Sequence, residues 1–178
     1  MNSPDENVQT CKVVFFGERK VGKTSVINRY CHNVYYETTE STCGSDIYFK
    51  TVEFDNRQKI KFIIWDTSLS NTYRKLSIQN FLDADAVVLI YQDMKSFAEI
   101  KNFWYTAVNE VLKTKIIRLI KSKCDKSVMI DQTEDEMKFV MENNLTYRRV
   151  SAKDDLTINE LFKDIGKAFL SQKNWTSI

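Results

Sequence analysis

The chain of 178 residues has little glycine and proline, with four glycines and one proline in all. Because glycine supplies tight turns and close backbone approaches that other residues resist, each of these few glycines marks a position of interest. An excess of charge of one sign is also missing, since 26 basic and 24 acidic side chains leave a net charge of +2. Such a balance gives no electrostatic footprint for nucleic acid, and we expect no nucleic-acid partner.

The cysteines lack the spacing of a C-x-x-C pair or a zinc site. They are Cys11, Cys31, Cys43 and Cys124. No apolar run approaches the length of a membrane span, and the N-terminus has no signal-peptide core, so we expect a reduced, cytoplasmic protein. One pairing stays open: a strand from Cys11 and a returning helix would bring Cys31 to the same end of a sheet. The alternative is two free, half-buried thiols.

The stretch 11–30, CKVVFFGERKVGKTSVINRY, contains an apolar run, a glycine-bounded loop and a segment suited to a helix. Its loop from Gly17 to Thr24 matches G-x-x-x-x-G-K-[ST], and strand, loop and helix in that order form the context of a phosphate-binding loop. Backbone N–H groups and the helix dipole favour an anion there. Lys23 can then reach the β- and γ-phosphates, and the Thr24 hydroxyl can bind Mg²⁺. The alternative is a chance match on a surface loop, which the flanking elements disfavour.

Apolar periodicity elsewhere predicts strands that alternate with helices. The further predicted strands are 47–54, 59–66, 86–91, 116–120 and 147–150, and the further predicted helices are 73–82, 97–112, 133–143 and 156–170. The two strands that flank a short polar turn at 55–58 predict a hairpin. The sequence TEDE at 133–136 matches a capping box at the start of the helix predicted at 133–143. The alternation as a whole predicts an α/β fold of three layers around a mostly parallel six-stranded sheet with one antiparallel hairpin strand. We expect one domain over 10–172, between a loose tail at 1–9 and an end segment at 173–178.

Polar motifs follow several of the predicted strands. Asp66 ends one strand, the stretch 121–125 follows another, and the tripeptide 151–153, SAK, follows the last. Ligands of such sheets bind at the carboxyl ends of the strands, so we expect these motifs to meet the phosphate-binding loop at one site. The polar segment 31–46 has the length of a functional loop.

Together these motifs resemble a Ras-superfamily small GTPase with its P-loop NTPase G domain, and they resemble the Rab branch most. The likeness spans about 11–170 and includes the stretches KTVEFDNRQKIKFIIWDT and ADAVVLIYQDMKSFAEIKNFW. It implies GTP or GDP as ligand, Mg²⁺ on the phosphates, and a GTPase activity. It also implies effector and exchange-factor proteins that bind the switch regions, and a role in regulating vesicle trafficking.

The resemblance assigns a role to each matching residue. Tyr35 would pack against the guanine ring, and Asp125 would accept hydrogen bonds from guanine N1 and its exocyclic amine, which adenine cannot supply. Thr42 would bind Mg²⁺ and the γ-phosphate, and Asp66 would hold the metal through water. For Tyr35 and Thr42 the alternative is an ordinary loop residue. The implied nucleotide-binding residues are Gly17, Arg19, Lys20, Val21, Gly22, Lys23, Thr24, Ser25, Tyr35, Thr42, Ser122, Lys123, Asp125, Ser151, Ala152 and Lys153; the metal ligands are Thr24, Thr42 and Asp66; the catalytic positions are Lys23, Thr42 and Ser70.

Several departures from the family pattern bear on hydrolysis. The second switch, normally Asp-x-Ala-Gly-Gln, reads DTSLS at 66–70. Ser70 stands at the position of the water-orienting Gln and is too short for that task. Leu69 replaces the Gly whose N–H meets the γ-phosphate. Arg19 stands where the family has a small residue, and a side chain there usually obstructs hydrolysis. We expect Arg19 to face solvent or pair with a phosphate; the alternative is an arginine finger in cis.

Two further departures bear on affinity. Ser122 replaces the Asn of the base-recognition motif, and Lys20 stands where Gly is common, so we expect both to weaken nucleotide binding. Asp125 should preserve the guanine preference. The sequence given ends in KNWTSI at 173–178, without the terminal cysteines of prenylated Rab proteins. This predicts either a protein without a lipid anchor or a piece of a longer chain, and peripheral association with endomembranes stays open.

Two functional hypotheses follow. The first is an atypical Rab-like GTPase with slow GTP hydrolysis. The second is a nucleotide-loaded pseudo-GTPase that acts as an interaction scaffold. A P-loop kinase is disfavoured, because the sequence has no lid or acceptor-site motif and because Asp125 and the tripeptide 151–153 point to guanine.

Overall fold

The computed structural model describes residues 8–37, 44–54, 57–68, 78–112, 114, 116–126 and 133–175. Six strands form one sheet in the order β2-β3-β1-β4-β5-β6. They are β1 (Val8–Phe16), β2 (Gly44–Glu53), β3 (Lys59–Ser68), β4 (Ala86–Tyr91), β5 (Ile116–Lys121) and β6 (Thr146–Arg149). Among the strand pairs of the described chain, β2 with β3 is antiparallel and the other four pairs are parallel. The predicted fold class and hairpin are therefore confirmed.

Helices cover both faces of this sheet. They are α1 (Lys23–His32), α2 in three consecutive segments (Met94–Glu99, Ile100–Trp104 and Tyr105–Val111), α3 (Glu134–Glu142) and α4 (Ile158–Trp175). The middle segment of α2 is π-helical. The predicted capping box of α3 is confirmed, because Thr133 and Glu136 each accept from the other's backbone N–H. Within the described residues, no helix is long and apolar enough to cross a membrane.

Two apolar layers explain why β1 ends in a continuous buried run at 13–16. Phe15 points toward α1 and α4, where the Tyr30 and Phe162 rings stack at 3.6 Å between centroids. Phe16 points to the opposite face, where its ring stacks on Trp104 of α2 at 5.6 Å. A central parallel strand covered on both faces needs apolar side chains at successive positions, as the sequence has here.

Several predicted boundaries were wrong. The tail predicted at 1–9 overlaps β1, which begins at Val8 because its first residues pair with the long strand β3. Strand β2 begins at Gly44 rather than at 47, because it follows β3 back to Ser68. Helix α2 begins at Met94 rather than at 97, because the Asp93 side chain caps it. Of the helix predicted at 73–82, Ile78 is helical and the 3₁₀ turn Gln79–Phe81 follows it; residues 73–77 lie outside the described ranges.

The structure answers the question of a disulfide between Cys11 and Cys31. Cys11 is buried and Cys31 is half-buried, and these two cysteines form no disulfide. Burial raises the pKa of Cys31 to about 11, which keeps this thiol protonated at neutral pH.

Candidate nucleotide-binding site

The phosphate-binding loop joins β1 to α1 through two glycines in conformations that side chains resist. Gly17 has φ +155°, and a Cβ there would lie 2.2 Å from the Ile90 carbonyl oxygen of β4. Gly22 has φ +99° and caps the N-terminus of α1 in the left-handed region. Between them Lys20 adopts φ 64°, although it is not a glycine. The loop thus places backbone N–H groups at the start of α1, the arrangement that binds phosphate.

Lys23 is the first residue of α1, and its side chain, which is 8% exposed, reaches back to the start of the loop. Its Nζ donates to the carbonyl oxygens of Gly17 at 2.9 Å and Glu18 at 2.7 Å. Burial lowers the pKa of Lys23 to about 8, against the opposing effects of Asp66 and Glu18, and the charge of Arg19 lowers it further. The loop therefore holds a desolvated ammonium group that an anion would stabilise.

Asp66 lies close to this loop because β3 runs parallel to β1, with Asp66 opposite Phe15. Its carboxylate is fully buried and accepts a hydrogen bond from the Thr24 hydroxyl. The next residue, Thr67, donates from Oγ1 to the Phe15 carbonyl oxygen at 2.6 Å, which fixes the end of β3 against the loop. A carboxylate and a hydroxyl are the hard oxygen donors that Mg²⁺ prefers, so this pair fits a magnesium ion bound with phosphate.

A second loop, after β5, is attached directly to the phosphate-binding loop. The Ser122 hydroxyl lies within hydrogen-bond distance of the Val21 carbonyl oxygen and 3.1 Å from that of Tyr91. Lys123 Nζ donates to the Lys20 carbonyl oxygen at 2.7 Å. Ser122 and Lys123 thus connect the loop after β5 to the phosphate-binding loop, although a serine stands where the family pattern has Asn. The effect of Ser122 on nucleotide affinity stays a prediction.

Asp125 follows in a 3₁₀ turn (Cys124–Lys126) and accepts from the Ser151 hydroxyl at 2.8 Å. Ser151 is fully buried, and it also accepts from the Asp154 N–H at 3.1 Å. The two predicted base-recognition segments therefore meet, and the carboxylate of Asp125 is oriented by a buried hydroxyl.

Arg29 of α1 was missed by the sequence analysis. Its Nε donates to the Ala152 carbonyl oxygen at 2.7 Å, and its guanidinium also reaches the Lys153 carbonyl oxygen at 3.3 Å. A basic residue in the last turn of a helix is common, and it gives no sequence signal for a partner so far along the chain. Arg29 ties the helix behind the phosphate-binding loop to the tripeptide 151–153.

The remaining predicted residues occupy varied positions. Val21 is buried, Ser25 is half-buried in the first turn of α1, and the half-buried Tyr35 packs against the core beneath α1 and α4. The side chains exposed at the rim are Arg19, Lys20 and Lys153. Thr42, Leu69 and Ser70 lie outside the described residues, so the third metal ligand and the catalytic positions that they would supply stay predictions.

A phosphate-binding loop with a buried lysine, a Thr–Asp pair suited to Mg²⁺ and a joined base-recognition loop define a P-loop nucleotide-binding protein. The sequence model of the Ras family matches residues 12–171. The chain is 32% identical over 161 residues to the Ras-related protein Rab-1 of Theileria parva, covering 88% of this chain and 73% of that protein. It is 29% identical over 163 residues to the Ras-related protein Rab-13 of Canis lupus familiaris, covering 89% and 79%.

The chain belongs to the Ras family and is a Rab-like small GTPase. Proteins of this family bind GTP and GDP with Mg²⁺, act as GTPases in general, and bind effectors and exchange factors.

Proposed function

We propose that this chain binds GDP and GTP at the loop after β1, reads guanine through Asp125, and hydrolyses GTP slowly. The observation that carries the proposal is the pair of hydrogen bonds from Ser122 and Lys123 to Val21 and Lys20. This pair joins the phosphate half of the site to the base half. The role of the protein would be to regulate vesicle trafficking by binding effectors in one nucleotide state, on the cytoplasmic side of endomembranes.

Each residue of the site has a distinct task in this proposal. Lys23 would exchange its two carbonyl acceptors for oxygens of the β- and γ-phosphates, which compensate its buried charge. Thr24 and Asp66 would hold Mg²⁺, and the ion would neutralise charge on the phosphates. Asp125, oriented by Ser151, would accept from guanine N1–H and the exocyclic amine.

The slow rate is proposed from the sequence of the second switch. GTP hydrolysis depends on a side chain that orients the attacking water, and a serine at position 70 cannot extend that far. The degenerate sequence DTSLS at 66–70 also favours the second candidate, a nucleotide-loaded scaffold that holds one nucleotide and works by binding partners.

The first experiment identifies the nucleotide released from the purified protein. Guanine nucleotide is the expected result, and adenine nucleotide would contradict the proposal. Lys23→Ala should lose the bound nucleotide, whereas full retention would refute the assignment of the loop. Single-turnover hydrolysis and GDP/GTP exchange then separate the candidates. Slow but measurable turnover supports the GTPase, and neither turnover nor exchange supports the scaffold.

A further inference from the structure

Glu136, in the first turn of α3, is fully buried and is not explained by the nucleotide site described above. Its Oε2 accepts from the Thr133 N–H at 2.6 Å, which is the ordinary contact of a capping box. Its Oε1 accepts from the Tyr91 hydroxyl at 2.7 Å and from Lys121 Nζ at 3.0 Å. Capping a helix needs only the contact with Thr133, so capping does not explain the two contacts of Oε1.

The partners of Glu136 lie at both ends of the segment 121–133. Lys121 is the last residue of β5 and is 8% exposed, and Thr133 caps α3. One carboxylate therefore fixes the point where the base-recognition segment leaves the sheet and the point where it re-enters a helix. The third partner, Tyr91, ends β4, and its carbonyl oxygen accepts from the Ser122 N–H at 2.8 Å.

The electrostatics agree with a fixed, ionised carboxylate. Burial by itself would raise the pKa of Glu136, but the hydrogen bonds from Tyr91, Thr133 and Lys121 outweigh burial and lower it. A buried carboxylate with one partner removed is strongly destabilising, because the remaining charge stays desolvated. Such a group holds its partners in one arrangement and allows little displacement.

We propose that Glu136 is a positioning residue for guanine recognition, which acts by holding Lys121 and Thr133 at the two ends of the segment that carries Asp125. The inference rests on the proposed role of Asp125 in reading the base. In this role Glu136 acts indirectly, through the cap of α3 at Thr133 and the end of β5 at Lys121.

The test compares Glu136→Gln with Glu142→Gln, the same chemical change at an exposed position of α3. The readout is the dissociation constant for GDP and for inosine diphosphate, which lacks the exocyclic amine. Glu136→Gln should weaken GDP binding about tenfold and reduce the preference for GDP over inosine diphosphate, because Asp125 loses its alignment. Glu142→Gln should change neither. A lower melting temperature with an unchanged preference would show a merely structural role and overturn the inference.

If Glu136→Gln does not fold, Tyr91→Phe and Lys121→Met each remove one donor and preserve the carboxylate. Hydrogen exchange of the amides at 123–125 should then be faster than in Glu142→Gln, and equal protection would overturn the inference.

Asp125→Asn separates this inference from the proposed function. It should shift preference from guanosine to xanthosine diphosphate, whose C2 oxygen accepts from the new amide. If Asp125→Asn does not shift the preference, the proposed role of Asp125 is refuted. If Asp125→Asn shifts the preference while Glu136→Gln has no effect on binding, only the proposed role of Glu136 is refuted.

Discussion

Replacing Lys23 by methionine should stabilise the nucleotide-free protein while it removes nucleotide binding. The ammonium group of Lys23 is buried at a cost, which appears as a pKa lowered from 10.5 to about 8. A methionine fills nearly the same space without a charge. The substitution therefore separates what the residue contributes to binding from what it costs the fold.

The magnitude follows from the size of the shift. A lowering from 10.5 to about 8 corresponds to about 3 kcal/mol of destabilisation at pH 7. Removing Lys23 also leaves the carbonyl oxygens of Gly17 and Glu18 without this donor, at a cost of about 1–2 kcal/mol. We therefore expect the free energy of unfolding of Lys23→Met near pH 7 to be about 1–2 kcal/mol higher than that of the wild type.

The sign of the pH dependence gives a second test of the same reasoning. Between pH 8 and 10.5 the unfolded chain binds a proton at Lys23 that the folded chain has lost. The wild type therefore gains stability from this group as the pH rises through that window, and the difference from Lys23→Met shifts by up to about 3 kcal/mol.

The assay is urea unfolding of both proteins, stripped of nucleotide and Mg²⁺, at pH 7 and pH 10. Taking the difference between the proteins removes the contributions of other groups that titrate in the same range. A Lys23→Met protein that is less stable than the wild type at pH 7, or a difference independent of pH, would refute the reasoning. An equimolar GDP addition should stabilise only the wild type.

Three further outcomes are expected. Gly17→Ala should weaken GDP binding at least about tenfold, measured by fluorescence titration, because the new Cβ would lie 2.2 Å from the Ile90 carbonyl oxygen and displace the loop. Gly166→Ala should lower the unfolding free energy by about 1–2 kcal/mol in thermal or urea unfolding, because its Cβ would meet the Phe54 ring at 2.2 Å. Ser70→Gln alone should leave single-turnover GTP hydrolysis slow, because the other departures around the γ-phosphate remain.

A control variant matches Gly166→Ala, and each of the three changes has an outcome that would contradict its reasoning. Lys167→Ala alters an exposed position of α4 and should leave the melting temperature unchanged. Unaltered stability of Gly166→Ala would contradict the packing of Phe54 on α4, and tight GDP binding by Gly17→Ala would contradict the loop geometry. A large gain in hydrolysis from Ser70→Gln would show that the residue at position 70 is the main obstacle.

The fold could be predicted because local signals agreed with one another. The run at Phe15 and Phe16, the glycines of the loop and the capping box at Thr133 each correspond to an element of the structure. Strand ends were predicted less well, because a strand continues as long as its partner does. The beginning of β2 at Gly44 is set by pairing with Ser68, and no local pattern shows that pairing.

The sequence predicted which candidate residues lie together where a motif fixes their spacing, as for Lys23 and Thr24, or where a strand ends in a polar residue, as for Asp66. Arg29 and Glu136 could not be found in this way. Their partners lie far away along the chain or across a helix cap, and both residues have ordinary sequence surroundings. A contact between distant segments depends on the assembled fold and leaves no local pattern.

Three hydrogen bonds join the phosphate half of the site to the base half: from Ser122 to Val21, from Lys123 to Lys20 and from Arg29 to Ala152. Because these hydrogen bonds link the two halves, ordering the phosphate-binding loop lowers the entropic cost of ordering the base-recognition segments, and the reverse. We therefore expect the free energy of binding a whole nucleotide to exceed the sum for its separate parts, guanosine and pyrophosphate. Contacts within the protein would thus contribute to the cooperativity between the two parts of the ligand.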